Sequence, residues 1–334
     1  MKHLLVVTAL FCVFNLSGCA KLSGNGKVVI GLSIPDLKQE RWQRDRQIFV
    51  NEANRMGAEV FVLDALGDPK VQIQQCEDMI ERGVKVLVVV PQNADAAAPI
   101  VEKAHEKGIK VICYDRLIAN SNPDLYISFD NEQVGEIQAN ELMRIVPEGN
   151  YLELLGDPGD KNAEMVHDGH INVLKGAIDK GKIKIVLSKP CDKWLRSEAK
   201  RITQDALTRF KIDAILASND GTAAGAIAAL GEMGIAGRIP VSGQDADLIN
   251  CQYITKGIQT VTVYKPIKKL ATFSAWAAFA LARGLPVEGT HSKVNNGSFE
   301  VSTVYLDPIP VTKDNMEETV ISDGFHKKEA IYGK

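Results

Sequence analysis

Three similar segments decide the fold of this chain: MGAEVFVL at 56–63, RGVKVLVVV at 82–90 and KGIKVICY at 107–114. In each segment a glycine precedes a short run of apolar, mostly β-branched residues. Gly57, Gly83 and Gly108 are 26 and 25 residues apart, and each is placed where a helix ends in the left-handed conformation that glycine favours. With a first strand at 28–34, the repeat predicts alternating strands and helices, and therefore a parallel sheet covered by helices on both faces.

The same alternation continues beyond residue 150. Strands are predicted at 151–155, 183–187, 214–217, 240–242 and 260–264, and helices at 163–179, 197–210, 221–233, 247–256 and 267–283. At about 150 residues per domain, the length of the chain predicts two α/β domains. The alanine-rich helix at 267–283 follows the last strand of the second set, and we expect it to return to the first domain.

The composition is that of an ordinary globular protein, with 45% hydrophobic residues, 24% charged residues and a formal net charge of −3. Charges of one sign do not occur in runs, so the sequence predicts no nucleic-acid partner and no acidic tail.

The first residues are typical of an export signal. Lys2 and His3 precede an apolar stretch at 4–16, which is too short to span a bilayer. The stretch closes on Leu-Ser-Gly-Cys, which resembles the bacterial lipobox whose cysteine is acylated. We therefore predict a lipoprotein signal peptide at 1–18, lipidation of Cys19, a tether at 19–26 and an exported protein held at the membrane only by its lipid anchor. An ordinary cleaved signal with a chance cysteine is the alternative.

Four further cysteines, at positions 76, 113, 191 and 251, allow three disulfide pairings between which the sequence does not choose. Cys113 lies in an apolar strand and Cys76 on an apolar helix face, where a free cysteine packs as a small hydrophobic residue. This favours free thiols. The sequence has no C-x-x-C motif, which argues against a zinc or redox role.

Polar side chains follow four of the predicted strands directly. They are Asp115-Arg116, Ser218-Asn219-Asp220, Gln244-Asp245 and Lys265. Ligands of open α/β sheets bind at the carboxyl ends of the strands, so these groups are expected to converge on one small polyhydroxylated molecule. Helix capping alone would explain Asp220, and also Asp160 and Asp247.

The other motifs in the sequence do not indicate metal binding, cofactor binding or catalysis. His167 and His170 lack the glutamate of a metalloprotease helix, and we interpret them as part of a solvated helix face rather than a metal site. The sequence contains no G-x-S-x-G, and no G-x-G-x-x-G after a strand. We therefore predict no metal, no cofactor and no covalent catalysis.

Seven segments resemble those of the type I periplasmic sugar-binding proteins that feed ABC importers, and in particular the D-xylose-binding members of that family. They are ERWQRDR (40–46), YDR (114–116), YISFDN (126–131), ASND (217–220), SGQDAD (242–247), TVYKPI (262–267) and DGFHK (323–327). The match is collinear from about residue 28 to 328. The resemblance implies two Rossmann-like lobes with parallel sheets, joined by a three-strand hinge, that close on a sugar and present it to a permease.

The resemblance also implies site residues, position by position. Polar contacts to the sugar are expected from Arg41, Asp115, Arg116, Asn162, Asn219, Asp245 and Lys265, with Trp42 and Trp194 against the sugar ring. A pyranose hydroxyl donates one hydrogen bond and accepts two, which suits such a mixture of charges and amides. Tryptophan offers a flat apolar face for the C–H patches of the ring. The family pattern Asp-Asn-Asn-Ala reads Asp160-Lys161-Asn162-Ala163 here, so Lys161 adds a cation near the cleft and puts the exact sugar in doubt.

The implied lobes are 27–129 plus 266–302, and 130–265 plus 303–334. Hinge crossings are expected near 130–131, 264–265 and 303–307. We expect a monomer.

Three other functions remain to be weighed. A sugar-responsive repressor would need a basic helix-turn-helix before the first strand, where only the signal and the tether are expected. A sugar-processing enzyme could use Asp115 and Asp245 as acid and base, but the cations beside them favour ionised hydrogen-bonding roles with lowered pKa values. A protein that binds another aldose, such as ribose, arabinose or glucose, or that presents its sugar to a membrane receptor, stays open.

Overall fold

The computed structural model of the chain describes residues 27–38 and 40–333. The predicted signal peptide, Cys19 and the tether lie outside these residues. In the described part of the chain no helix combines the length and the apolar character needed to cross a membrane.

The strands are β1 (Val29–Ile34), β2 (Glu59–Asp64), β3 (Val86–Val89), β4 (Lys110–Tyr114), β5 (Leu125–Phe129), β6 (Gly149–Leu155), β7 (Ile183–Pro190), β8 (Ala214–Ala217), β9 (Thr262–Tyr264), β10 (Ser292–Asn295), β11 (Glu300–Leu306) and β12 (Ile309–Val311). The helices are α1 (Glu40–Arg55), α2 (Pro69–Glu81), α3 (Ala98–Glu106), α4 (Asn131–Ile145), α5 (Lys161–Asp179), α6 (Arg196–Arg209), α7 (Asp220–Glu232), α8 (Leu248–Thr255), α9 (Ile267–Ala282) and α10 (Lys328–Tyr332). A 3₁₀ turn spans Asp192–Trp194, and a π-helical turn spans Glu317–Ile321.

The first sheet has the strand order β10-β11-β5-β4-β3-β1-β2 and is parallel except for β10, which pairs antiparallel with β11. Strand β3 is buried on both faces, as expected for a strand between two helical layers. Helices α1 and α9 pack on one face, and α2 and α3 on the other. Gly57, Gly83 and Gly108 have φ angles of 84°, 80° and 70° just after α1, α2 and α3, which confirms the predicted helix ends.

The second sheet has the order β7-β6-β8 and is parallel. The predicted strand at 240–242 is wrong as a full strand, because it contributes only a bridge between Val241 and Ile215. The hydroxyl of Ser242 instead hydrogen-bonds the amide and the carbonyl of Ala217, replacing part of the backbone ladder with side-chain contacts.

Helices α4 and α5 cover one face of the second sheet, and α6 and α7 cover the other. A Cβ atom at Gly135 of α4 would lie 2.1 Å from the carbonyl oxygen of Val166, and one at Gly169 of α5 would lie 2.1 Å from that of Glu132. The two glycines therefore let the helix backbones approach closely, which brings the inner faces of α4 and α5 together beneath the sheet.

The described chain passes three times between the first sheet with its helices and the remaining elements: from β5 to α4, from β9 to α9, and from β11 to β12. Strands β9 and β12 form a small antiparallel sheet of their own. The cysteines at 76, 113, 191 and 251 are buried free thiols.

Candidate functional site

One buried pocket gathers all nine side chains singled out for ligand contact, together with Asp160 and Gln244. Arg41 and Trp42 come from the start of α1, Asp115 and Arg116 from the exit of β4, and Lys265 from the exit of β9. The other side chains come from the start of α5, the 3₁₀ turn at Asp192–Trp194, the exit of β8 and the loop before α8. Side chains of this pocket also line an adjoining cavity of about 350 Å³. This region is therefore of a size that accommodates a monosaccharide.

Arg41 is the centre of the charged cluster. Its guanidinium contacts Asp115 directly, lies 3.3 Å from Oδ1 of Asp245, and lies 3.6 Å from Oδ2 of Asp45. Lys265 adds a second cation, with Nζ 3.4 Å from Asp245 and 4.0 Å from Asp115. Since all of these side chains are buried or nearly so, each charge depends on the others for compensation.

Burial and ion pairing have opposite effects on the pKa values of this cluster, because burial disfavours the charged form of each group and a nearby opposite charge favours it. Burial disfavours the charge of Arg41, but Asp115, Asp45 and Asp245 outweigh it and raise its pKa. Burial likewise opposes the charge of Asp115, but Arg41 and Lys265 hold its pKa below the ordinary value. The lowered pKa predicted for Asp115 is confirmed. For Asp45 burial prevails over Arg41 and over the hydrogen bond from Tyr114, and its pKa rises to about 6.

The raised pKa of Asp45 predicts a specific pH dependence of stability. The folded protein keeps the Asp45 proton up to about pH 6, whereas the unfolded chain releases it near 3.8. Protonated Asp45 thus adds roughly 2 to 3 kcal/mol to the free energy of unfolding below about pH 4. This contribution is lost as the pH rises to 6. Asp45→Asn should remove this step, so urea unfolding at pH 4 to 7 should show the wild type losing stability relative to the variant across that window. A constant difference between the two proteins would contradict the assignment; Asp205→Asn, at an exposed site, is the control.

Asn162 is held against the main chain of Asp115. Its amide nitrogen donates to the carbonyl of Asp115 at 3.0 Å, while its Oδ1 accepts from Asn131 at 3.1 Å and from the hydroxyl of Tyr126 at 3.3 Å. Since the donors face Oδ1, the orientation of the Asn162 amide is fixed by its partners.

Asp160 joins Arg116 to Trp194. Its Oδ2 accepts from Nε of Arg116 at 2.8 Å and from Nε1 of Trp194 at 3.2 Å, while its Oδ1 caps α5 through the amide of Asn162. Burial raises the pKa of Asp160 despite the nearby guanidinium of Arg116. The capping role expected for Asp160 is confirmed, and the same carboxylate also links Arg116 to Trp194.

Three site residues have positive φ angles: Asp115 at 61°, Trp194 at 56° and Asp245 at 99°. Non-glycine residues pay about 1 to 3 kcal/mol each for such conformations, which persist where the surroundings enforce them and which cluster at binding sites. Gly156 makes room for the Trp194 indole, because a Cβ there would lie 2.1 Å from the ring. The left-handed backbone conformations of Asp115, Trp194 and Asp245 thus direct their side chains toward the pocket.

Trp42 is 2% exposed, and two cations contact its ring. The guanidinium carbons of Arg41 and Arg116 are 4.7 and 5.4 Å from its centroid. Within the described residues, the buried Nε1 of Trp42 and Oε1 of Gln244 have no hydrogen-bond partner. These two atoms line the pocket and are suited to a polar ligand.

Asn219, not Asp220, caps α7. The Asn219 side chain accepts from the amide of Thr222, whose hydroxyl bonds back to Asn219 in a capping box. Asp220 is fully buried at the first helical position, where it accepts from Gln259, from Thr262 and from the amide of Asp247. The expected cap at Asp220 is therefore wrong by one residue.

Sequence reasoning placed Gln244 among the polar groups at the strand exits but not among the implied sugar contacts, and it interpreted Asp160 only as a helix cap. It missed Tyr126 and Asn131 as the support of Asn162. Gln244 stood next to Asp245 at a strand exit, which was a usable signal. The other three needed knowledge of which distant segments meet.

Lys161 points away from the pocket. Its ammonium pairs with Glu164 at 2.6 Å on the outer face of α5, and it does not line the pocket. The interpretation of His167 and His170 as a solvated face is wrong for His170, which is fully buried. Both rings bond Glu153 of the second sheet, because the period of α5 turns positions 167 and 170 toward β6. No group of three or more metal-ligating side chains with the geometry of a metal site occurs in the described residues.

Comparison with known proteins places this chain in a family. Residues 30–286 match the family described as "Periplasmic binding protein domain". The chain belongs to this family. The D-xylose-binding periplasmic proteins of Haemophilus influenzae and Escherichia coli are 47% and 48% identical to this binding protein, over 98% and 91% of it and 98% and 93% of their own lengths. Such relatives are substrate-binding proteins of ABC transport and are not enzymes, and this binding protein is one of them.

Solved structures show the same fold. An ABC transporter solute-binding protein from Clostridium phytofermentans with bound β-D-glucose superposes with a TM-score of 0.84 at 28% identity, covering 91% of this chain and 99% of that one. A carbohydrate transporter solute-binding protein from Chloroflexus aurantiacus with D-glucose gives 0.85 at 29%, covering 91% and 98%. The type I periplasmic binding protein fold expected from the resemblance is confirmed.

Proposed function

We propose that this binding protein captures D-xylose between two lobes and delivers it to the permease of an ABC transporter. The observation that carries the proposal is the convergence of carboxylates, cations, amides and two indoles on one buried pocket. The choice of D-xylose rests on the relatives, two of which are D-xylose-binding proteins nearly half identical over almost the full chain.

The pocket suits a sugar in its chemistry. Hydroxyl groups can donate to Asp115 and Asp245 and accept from Arg41, Arg116 and Lys265, and charged partners of this kind contribute about 1.5 to 3 kcal/mol each. The indole of Trp194, held by Asp160, gives the apolar surface that the ring carbons require. No group in the pocket is needed to break a bond for this function.

The two lobes, 27–129 plus 266–302 and 130–265 plus 303–334, would move as rigid bodies about the three connections near 130–131, 264–265 and 303–307. Supporting this, the pocket takes Arg41, Trp42, Asp115 and Arg116 from the first lobe and its other side chains from the second. A ligand that touches both sides stabilises the closed form through contacts that the open form lacks.

We further propose that the protein is exported, that Cys19 carries the lipid anchor and that the folded body is monomeric. Support for the anchor comes from the Leu-Ser-Gly-Cys sequence at 16–19. Two acyl chains would hold the protein at the membrane, since each buried methylene contributes about 0.8 kcal/mol.

A sugar panel tests the choice of ligand. D-Xylose should bind more tightly than D-ribose and L-arabinose, because a wrong hydroxyl configuration leaves buried polar groups unpaired. D-Glucose should bind about 5- to 150-fold more weakly, since its extra CH₂OH overfills the site at about 1 to 3 kcal/mol. Titration followed by tryptophan fluorescence gives each dissociation constant. Tighter binding of ribose or glucose would reject D-xylose as the ligand, and no binding of any aldose would reject the sugar site.

A further inference from the structure

A chain of buried polar groups begins at Glu153 in the middle of β6. Oε1 of Glu153 lies 2.8 Å from Nδ1 of His167 and 2.9 Å from Nδ1 of His170, and its Oε2 accepts from the hydroxyl of Ser188 at 2.6 Å. Burial opposes the negative charge, but the contacts with the two histidines and Ser188 outweigh it and lower the pKa of Glu153 to about 2. Glu153 is therefore an ionised acceptor in the interior of the second lobe.

His170 connects this carboxylate to Gln138 on α4. The second ring nitrogen of His170, Nε2, lies 2.7 Å from Oε1 of Gln138. Glu153, His170 and Gln138 are all fully buried, and the close packing of α4 on α5 at Gly135 and Gly169 brings them together. The network lies outside the pocket and touches none of the predicted ligand contacts directly.

The amide of Gln138 bridges two main-chain carbonyls. Its Nε2 donates to the carbonyl of Gly243 at 2.8 Å and to that of Ser218 at 3.2 Å. Carbonyl oxygens only accept hydrogen bonds, so the NH₂ group must face them and Oε1 must face His170. The two carbonyls thereby fix which way the amide points, and Oε1 is left to accept from Nε2 of His170.

The two carbonyls belong to the residues that immediately precede pocket residues. Ser218 precedes Asn219, and Gly243 precedes Gln244 and Asp245. The segment at 240–243 has a single bridge to β8, and the carbonyl of Gly243 also accepts from the amide of Val263 at 3.0 Å. The two exits are joined by the bond from the amide of Asp220 to the carbonyl of Gln244 at 2.9 Å and by that from Nε2 of Gln244 to the carbonyl of Ser218 at 3.2 Å. The Gln138 amide adds a further cross-link from α4, outside both exits.

We propose that Gln138, held between His170 and the carbonyls of Ser218 and Gly243, is a positioning residue that sets the relative placement of Asn219 and Asp245 in the ligand site. This inference rests on the proposed sugar-binding function. Loss of Gln138 would therefore lower the affinity for sugar by displacing Asn219 and Asp245, although Gln138 itself does not contact the sugar.

Gln138→Glu is the sharpest test, because it keeps the size of the side chain and its acceptor toward His170 but loses the NH₂ group: an ionised carboxylate donates to neither carbonyl, and a protonated one donates to one at most. We expect affinity for the best-bound aldose to fall at least about tenfold. We also expect the ratio of affinities between epimeric pentoses to shrink, which a loss of stability alone would not produce. Leu142→Ala, a buried change on the same helix away from the exits, should lower the unfolding midpoint and leave both affinity and ratio unchanged.

Calorimetry on folded variants decides the matter, with folding checked by circular dichroism. An affinity and an epimer ratio within about twofold of wild type in Gln138→Glu would overturn the proposal. If that variant does not fold, Gln138→Met and then His170→Gln are judged by the same limits. Wild-type protein that binds none of the aldoses would instead reject the proposed function, so the two failures are distinguishable.

Discussion

Replacing Arg41 with methionine is expected to weaken sugar binding by at least about a hundredfold and to destabilise the fold by about 3 to 5 kcal/mol. Arg41 compensates Asp115, Asp245 and Asp45 at once, all within 3.6 Å of its guanidinium. Methionine fills much of the same volume but leaves three carboxylates close together, of which Asp115 and Asp245 lie within 4.0 Å of Lys265. Chemical unfolding and calorimetric titration measure the two losses.

Arg209→Met is the matched control for this prediction. Arg209 pairs with Asp205 at 3.0 Å, but both side chains are 53% exposed, and such surface pairs contribute about 0 to 1 kcal/mol. The control should bind sugar normally. Sugar binding by Arg41→Met within threefold of wild type would show that the charged cluster is structural and is not the ligand site.

Cys19→Ser is expected to shift the protein from the membrane fraction to the soluble exported fraction almost completely. A serine cannot carry the thioether-linked lipid, and without buried acyl chains the folded body has no other proposed hold on the membrane. The distribution is measured by fractionation of cells grown with radiolabelled palmitate. The label should mark wild type alone.

Sugar affinity should be the same in both forms, because the tether at 19–26 separates Cys19 from the folded residues. Cys251→Ser changes a buried thiol of the folded body and should leave both label and membrane fraction unaltered. Labelled, membrane-bound Cys19→Ser would refute the lipobox assignment.

Much of the site could be predicted because it follows the order of the strands. The glycines at 57, 83 and 108 mark helix ends through their own backbone preferences, and polar residues directly after apolar runs must lie at the carboxyl edge of a parallel sheet. The positions of Asp115 and Asn219 in one pocket thus follow from short-range pattern and topology, whereas Asp245 follows a segment with a single bridge to β8 and Lys265 follows β9 of the antiparallel pair. The membership of Trp42, Asn162 and Trp194 was implied by resemblance and not by pattern.

Other features depended on contacts between distant segments. Asp160 looks like a helix cap in the sequence, and only the approach of Arg116 and Trp194 makes it part of the pocket wall. Asn219 rather than Asp220 caps α7, because the Asp220 carboxylate accepts hydrogen bonds from Gln259 and Thr262.

By itself, the sequence determined the alternation of strands and helices, the parallel sheets and the edge at which ligands bind, because each depends on residues a few positions apart. Only the tertiary structure decided that His170 is buried against Glu153 and that Gln138 joins the carbonyls of Ser218 and Gly243. The same structure turned Lys161 outward to Glu164. Each of these outcomes depends on which groups donate and accept across separate elements, and a linear pattern carries no record of that pairing.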